Sequence, residues 1–284
     1  MNDDLEARAK ISDRLSAPRE LRTAGPPLLE VRGLCRYFGG VRAAHDISLT
    51  VRRGQITSLI GPNGAGKTTC FNAITGIFPP TRGEVVFHHP ERGPVPIAGL
   101  RPDRICQLGV ARTFQNIRLF PDLPVVENVK VGFHCRTRSG LWGTVLRLPG
   151  MLREEAEAHE AALRYLDFVG LLASAHDLAT NLSYGDQRRL EIARALATHP
   201  ELLLLDEPAA GMNPSETEQL MELIRRICDL GGTVLLIEHD MKLVMNVSDR
   251  IYVMDHGELI AEGDPAAVKS NPKVVEAYLG VQER

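Results

Sequence analysis

Residues Gly61-Pro62-Asn63-Gly64-Ala65-Gly66-Lys67-Thr68-Thr69 follow the pattern G-x-x-x-x-G-K-[ST]. Glycines at these places let consecutive backbone N–H groups turn inward around phosphate oxygens, and a helix opening at Lys67 adds its positive N-terminal end. Lys67 then supplies a point charge to the β- and γ-phosphates, and Thr68 a hydroxyl to Mg²⁺. Gly61, Asn63, Gly64, Ala65, Gly66 and Thr69 complete the expected nucleotide contacts. A bare match arises by chance in roughly one chain in a hundred of this length, and the bland alternative is a glycine-rich turn with an exposed lysine. Context argues against it, because residues 55–60 (Gln-Ile-Thr-Ser-Leu-Ile) read as a strand running into the loop and residues 67–76 as a helix leaving it.

A second chemical feature is Leu202-Leu203-Leu204-Leu205-Asp206-Glu207, an apolar strand ending in two carboxylates. That is where α/β sheets place ligand groups. Asp206 is positioned to hold Mg²⁺, directly or through water, and Glu207 to polarise a water attacking the γ-phosphate. Without the phosphate loop, a charged turn after a core strand would explain these residues equally well. A phosphate loop alone leaves kinases, GTPases and ATPases open.

Between the two stands Asn181-Leu182-Ser183-Tyr184-Gly185-Asp186-Gln187-Arg188-Arg189-Leu190. Ser183 and Asp186 have capping-box spacing, and Leu190, Ala193, Leu196 and Ala197 make an inner helical stripe. A helix start of this kind offers free N–H groups to an anion. Taken alone it is no more than a well-capped helix.

The elements that must position these residues alternate in kind. Residues 28–31 and 45–51 read as short strands broken by Phe38-Gly39-Gly40, and the Gly- and Pro-rich residues 89–99 as a surface excursion. From about 121 to 170 the chain looks helical, with Leu152, Ala156, His159, Leu163 and Leu166 drawing one stripe. His159 has no partner at ligand spacing, so a satisfied histidine is the reading there, not a metal ligand. Strand 202–205, a helix and strand 233–237 follow; Asn213 caps that helix, Pro214 opens it, Leu220, Leu223, Ile224 and Ile227 line it, and Gly231-Gly232 stop it. This alternation means a parallel α/β sheet.

Composition narrows the class. The 284 residues carry 33 Lys+Arg against 36 Asp+Glu, are 44% hydrophobic and 24% charged, and fit neither a disordered, a collagenous nor a membrane-embedded chain. A net charge of −3 and 5% aromatics argue against a nucleic-acid binder that relies on basicity or base stacking. Cys35, Cys70, Cys106, Cys135 and Cys228 are odd in number and scattered, giving neither a disulfide frame nor a zinc site. The acidic start Met1-Asn2-Asp3-Asp4 is unlike a signal peptide, and no apolar run reaches the roughly 18 to 20 residues of a span. A cytosolic, soluble chain that meets a membrane only through a partner is expected. Residues 1–26 read as a flexible extension and 27–284 as one domain.

The segment around Ser183 resembles the Leu-Ser-Gly-Gly-Gln signature of ABC-type ATPases and lies where that family has it, ahead of the acidic strand. Further landmarks fall in the family's order. Gln115 in Arg112-Thr113-Phe114-Gln115 looks like the Q-loop glutamine, which reaches Mg²⁺ and the attacking water. His239 in Ile237-Glu238-His239-Asp240 looks like the switch histidine at the γ-phosphate, and Asn213 occupies the D-loop position. Phe38 matches the aromatic that stacks on adenine, with Tyr37 as the second candidate. The resemblance covers about residues 28–280 and implies a P-loop NTPase with a parallel core sheet, an N-terminal antiparallel β subdomain and a helical subdomain near 116–185. Residues 111–120, 184–194 and 237–241, with an insert carrying Leu141-Trp142, look like the G-type ATPase subunit of branched-chain amino-acid importers. Two departures stand in the signature: Tyr184 where Gly is usual, and Asp186 where Gln is commonest, expected to face outward as part of the cap. Asn213 replaces the usual D-loop Asp.

The resemblance implies Ser183, Gly185 and Asp186 at a partner's nucleotide, two ATPases closed head to tail around ATP and Mg²⁺, integral membrane permease subunits, an extracytoplasmic substrate-binding protein reached indirectly, and no nucleic acid. It places the chain at the cytoplasmic face of the inner membrane, with Leu119, Phe120 and Leu123 as the candidate docking surface. The same engine on another cargo, such as lipopolysaccharide export, is the alternative reading. A non-transport ABC protein acting on DNA or the ribosome would usually carry two cassettes, a long coiled coil or a basic linker.

Overall fold

The computed structural model describes residues 25–133 and 149–279. Cys135, Leu141-Trp142 and nearly all of the N-terminal extension lie outside the described residues. In chain order the first elements are β1 (Pro27–Phe38), β2 (Val41–Arg52), β3 (Ile56–Ile60), α1 (Lys67–Ile74), β4 (Arg82–His89), β5 (Gly93–Pro96), α2 (Pro102–Gln107) and β6 (Val110–Arg112). There follow α3 (Val125–Phe133), α4 (Pro149–Phe168), two short 3₁₀ turns, α5 (Tyr184–Leu196), β7 (Leu202–Asp206) and α6 (Pro214–Asp229). The chain closes with β8 (Val234–Ile237), α7 (Met241–Val247), β9 (Arg250–Asp255), β10 (Glu258–Gly263), α8 (Pro265–Lys269) and α9 (Pro272–Leu279).

The strands form two sheets. β2-β1-β4-β5 is antiparallel, and β10-β9-β3-β8-β7-β6 is parallel apart from β10. β1 and β2 are each twelve residues long, well beyond the short strands the sequence suggested. Register shifts within β1 absorb Gly33 and the polar residues around it, so they bend the ladder without ending it. Residues 89–99 are likewise no plain excursion, since β5 pairs with β4 there. Its Pro94 and Pro96 are accommodated because β5 is an edge strand with no further neighbour to serve.

The apolar runs of the core strands divide between two cores by the two-residue period of a strand. Leu203 and Leu205 of β7, with Val234 and Leu236 of β8, face a cluster built with α5, α6 and α7. Leu202, Leu204, Leu235 and Ile237 face a second cluster shared with α1 and the antiparallel sheet. The parallel sheet is therefore a middle layer, buried on both faces. α6 follows its sequence signals closely: Asn213 and Glu216 form a reciprocal capping box, and Leu220, Leu223, Ile224 and Ile227 are buried. Of the stripe expected on α4, Leu166 is buried, His159 and Leu163 are half-buried and Ala156 is exposed.

Candidate active site

Strand order brings the C-terminal ends of β3, β7 and β8 to one edge of the parallel sheet, and each end continues into residues with chemistry. The phosphate loop follows β3. A Cβ at Gly61 would lie 2.1 Å from the Met254 carbonyl oxygen, and one at Gly66 would lie 2.1 Å from that of Ala43. Backbone on both sides therefore demands glycine at these two positions. The β9–β10 turn locks the arrangement from a third side. His256 and Gly257 have φ of 46° and 83°, as a type I′ hairpin turn requires. Gly257 N–H donates to Ala65 O at 3.1 Å and its carbonyl accepts from His45 N–H at 2.7 Å.

Lys67 Nζ donates to Gly61 O at 2.7 Å and Pro62 O at 3.0 Å. Burial pushes its pKa below the ordinary lysine value, opposed by the carboxylates of Glu207, Asp206 and Glu238. A cavity of about 410 Å³ opens over the loop, lined by Asn63, Gly64, Ala65, Gly66, Lys67, Thr68, Thr69 and Glu207, with Val41, Arg42, Ala43 and His256 on its outer wall. Phe38 is not among the lining residues. Its ring meets Phe78 edge-on at 5.5 Å, with the Arg36 guanidinium 4.6 Å from its centroid.

The acidic pair behaves as two different groups. Asp206 Oδ2 accepts from Arg112 Nη2 at 2.7 Å in a pair whose side chains are only 3% and 6% exposed. Glu207 adopts φ 46°, a left-handed conformation unfavourable for a residue with a Cβ. That turn takes its side chain off the strand direction and into the loop cavity. Its N–H donates to Ile237 O at 3.0 Å, and its Oε2 accepts from Gln115 Nε2 at 2.9 Å. His239 Nδ1 stands 3.8 Å from the same oxygen. Gln115, Glu207 and His239 thus meet, although they come from three separate loops.

The signature segment forms a distinct site. Ser183 caps α5 and its Oγ accepts from Asp186 N–H at 3.1 Å. The reciprocal half of the expected capping box is not made, because the Asp186 carboxylate pairs instead with Arg189. A Cβ at Gly185 would stand 2.9 Å from Glu216 Oε1, so glycine lets α5 start against the capped end of α6. Tyr184, the replacement for the usual glycine, sets its ring edge 3.3 Å from where a Gly211 Cβ would be. A cavity of about 170 Å³ lies here, lined by Ser183, Gly185, Asp186, Arg189, Glu216 and Gln219, and it shares no lining residue with the phosphate-loop cavity.

The ABC transporter family profile matches residues 44–210, more than half of the chain. The chain belongs to the ABC transporter family of ATPases. A second profile, for the branched-chain amino acid ATP-binding cassette transporter, matches residues 258–284 of this ABC ATPase. The high-affinity branched-chain amino acid transport ATP-binding protein LivG of Salmonella typhimurium is 50% identical over 255 residues, which is 89% of this chain and 98% of that protein. The ADP conformation of an ATP-binding cassette of an ABC transporter superposes with a TM-score of 0.77 at 33% identity, covering 90% of this chain and 99% of that one. A dimeric post-hydrolysis cassette bound to ADP and Pi gives a TM-score of 0.69 at 26% identity, covering 84% and 99%.

Four charged residues of this ABC ATPase escape a reading by motif. Arg112 is in the quoted Q-loop stretch, yet nothing local marks it as the partner of Asp206. Glu238 precedes the histidine, is 1% exposed, and accepts from Ala209 N–H at 2.9 Å and His239 N–H at 3.2 Å. Burial raises its pKa against those two bonds. Arg188 and Glu191, 1% and 2% exposed, form an ion pair inside α5. The one signal available in advance was that a charge falls on the inward face of an otherwise apolar-faced helix.

Proposed function

We propose that this chain is the ATP-hydrolysing subunit of an importer of branched-chain amino acids. The cargo reading is supported by the name carried by LivG at 50% identity over nearly its whole length. The observation that carries the hydrolytic reading is Glu207, which shares the phosphate-loop cavity with Lys67 and takes Gln115 and His239 at one carboxylate oxygen.

The loop N–H groups and Lys67 bind the β- and γ-phosphates. Glu207 accepts a proton from water as its oxygen bonds the γ-phosphorus, the bond to the β,γ-bridging oxygen breaks, and ADP and phosphate result. Gln115 orients the water, and His239 donates to the γ-phosphate. The Thr68 hydroxyl, the Gln115 amide oxygen and the Asp206 carboxylate are hard oxygen donors suited to Mg²⁺, which typically takes one or two carboxylates plus substrate phosphates in place of a dedicated protein cage. When bound, Mg²⁺ supplies positive charge to the phosphate oxygens. Phe38 is assigned to the adenine face, and Ser183, Gly185 and Asp186, at the start of α5, to a partner's γ-phosphate. Two separate cavities without a common residue favour a head-to-tail pair, in which each signature covers the other chain's nucleotide.

Residues 27–284 then act as one ATPase unit with a helical subdomain at about 116–185, and 1–26 as an extension. No described helix is long and apolar enough to cross a membrane. In this reading the chain meets the cytoplasmic face of the inner membrane through permease subunits, which an extracytoplasmic binding protein supplies with substrate. Phe120 and Leu123, 46% and 38% exposed, and the half-buried Leu119 offer the docking surface. Deleting the gene abolishes labelled leucine uptake under this reading, and wild type but not Glu207→Gln restores it. Glu207→Gln retains ATP binding and loses turnover by at least about a hundredfold. Undiminished uptake in the deletion strain rejects the cargo, and near wild-type hydrolysis by Glu207→Gln removes that residue from its role.

A further inference from the structure

Arg188 is among the largest fully buried side chains, and it does not face the phosphate-loop cavity. Its Nη1 donates to Phe114 O at 2.6 Å and to Glu191 Oε2 at 3.2 Å, and its Nη2 donates to Gln115 O and to the Tyr184 hydroxyl, the latter at 3.1 Å. Glu191, one turn further along α5, accepts from Phe114 N–H at 3.4 Å. One buried ion pair on the signature helix thus grips three backbone groups of Phe114 and Gln115. Gln115 in turn holds Glu207 through its side chain at 2.9 Å.

We propose that Arg188 and Glu191 are positioning residues for Gln115, transmitting the placement of the signature helix to the hydrolytic centre. The inference rests on the proposed roles of Gln115 and Glu207. A planar guanidinium can serve two adjacent carbonyls and a carboxylate together because its donors diverge in a fixed fork. A lysine ammonium keeps the charge opposite Glu191 but cannot span the same acceptors. Since Arg188 and Glu191 hold the backbone on either side of the Gln115 Cα, a shift of α5 by a fraction of an ångström displaces the amide from Glu207. Such displacements are costly when reacting groups must be aligned.

The test is a double-mutant cycle on the full chain, measuring ATP turnover, nucleotide affinity and thermal midpoint together. Arg188→Lys lowers kcat about tenfold and leaves nucleotide affinity within about twofold, because the phosphate loop is untouched. In a Gln115→Ala background the same substitution costs less than about twofold, since the side chain being positioned is already gone. If Arg188→Lys does not fold, Arg188→Met with Glu191→Gln, which removes both buried charges together, takes its place under the same criteria. An unchanged kcat, or an equal loss in both backgrounds, overturns the inference alone. Wild-type turnover by Gln115→Ala overturns the underlying hydrolytic reading and the inference with it.

Discussion

Replacing Arg112 by alanine takes a guanidinium away from three acceptors at once: Asp206 Oδ2 at 2.7 Å, and Asn72 Oδ1 and Thr75 Oγ1 at 2.8 Å each. Asp206 is the member that suffers, because a carboxylate 3% exposed loses its counter-charge where water does not reach it. Thr75 keeps a hydrogen bond to Phe71 O at 2.7 Å, so its loss is minor. Breaking a buried pair by removing one partner costs about 3 to 5 kcal/mol. The lower end applies here, since the Arg112 Nε is itself buried without a partner and the wild-type pair carries that penalty already. At roughly 3 kcal/mol, and about 2 to 4 °C per kcal/mol for a chain of this size, the thermal midpoint should fall by about 9 °C. Calorimetry and urea denaturation of the nucleotide-free chain measure it. The companion is Asp206→Asn: with both changes present the destabilisation should be at least about 1.5 kcal/mol less than the sum of the two singles, because no buried charge is left unpaired. A midpoint drop under about 2 °C for Arg112→Ala, or strict additivity in the double variant, would refute the claim that these two buried charges compensate each other.

Two further outcomes follow from the same geometry. Asn213→Ala removes the Oδ1 that accepts Glu216 N–H at 3.0 Å and should cost about 1 kcal/mol in urea denaturation, with Asn213→Asp restoring most of it; a cost below about 0.3 kcal/mol would show that the cap is dispensable. Burial raises the Glu238 pKa above its ordinary value near 4.5, so between that value and the raised one the folded chain holds more protons than the unfolded chain. Wild-type stability should therefore decline relative to Glu238→Gln as pH rises through that window and run parallel above it. Urea midpoints of the two proteins from about pH 4.5 to 8 would contradict this if the wild type gained on the variant as pH rose.

The parts of the fold legible in the sequence are those where one physical requirement acts locally. Residues 202–205 and 234–237 are continuous apolar runs because their sheet is buried on both faces, and such runs read as strands within a residue of their true bounds. Asn213, Pro214 and Gly231 punctuate α6 through local hydrogen bonding and permitted dihedrals. β1 runs past Val31 to Phe38 because the bulge that absorbs Gly33 depends on pairing with β2 and β4, which no local pattern shows. β5 was missed because two prolines argue against a strand until it is known to lie at an edge. The phosphate loop, acidic pair, Gln115 and His239 could be named as candidates one at a time. Their company was implied only by the family resemblance and by no local pattern, since it depends on the order of β3, β8 and β7 in the sheet.

That order also explains one of the unforeseen contacts. β6 lies beside β7 with Arg112 opposite Leu204, so a side chain leaving the end of β6 reaches the end of β7, where Asp206 stands two residues beyond Leu204. Strand order, not sequence distance, makes Arg112 and Asp206 neighbours, and the same edge then delivers the chain into Gln115. A functional loop at a sheet edge has few backbone partners of its own and must be held by side chains reaching in from the elements beside it. Arg112 holds the strand end before the loop, and Arg188 with Glu191 holds the loop itself. Glu207 is fixed from the opposite side by Ile237 O despite its left-handed φ, a strain that persists only where the surroundings determine it more than once. Under the proposed roles, motif residues carry the chemistry, while their alignment rests on buried charges whose partners only the folded chain supplies.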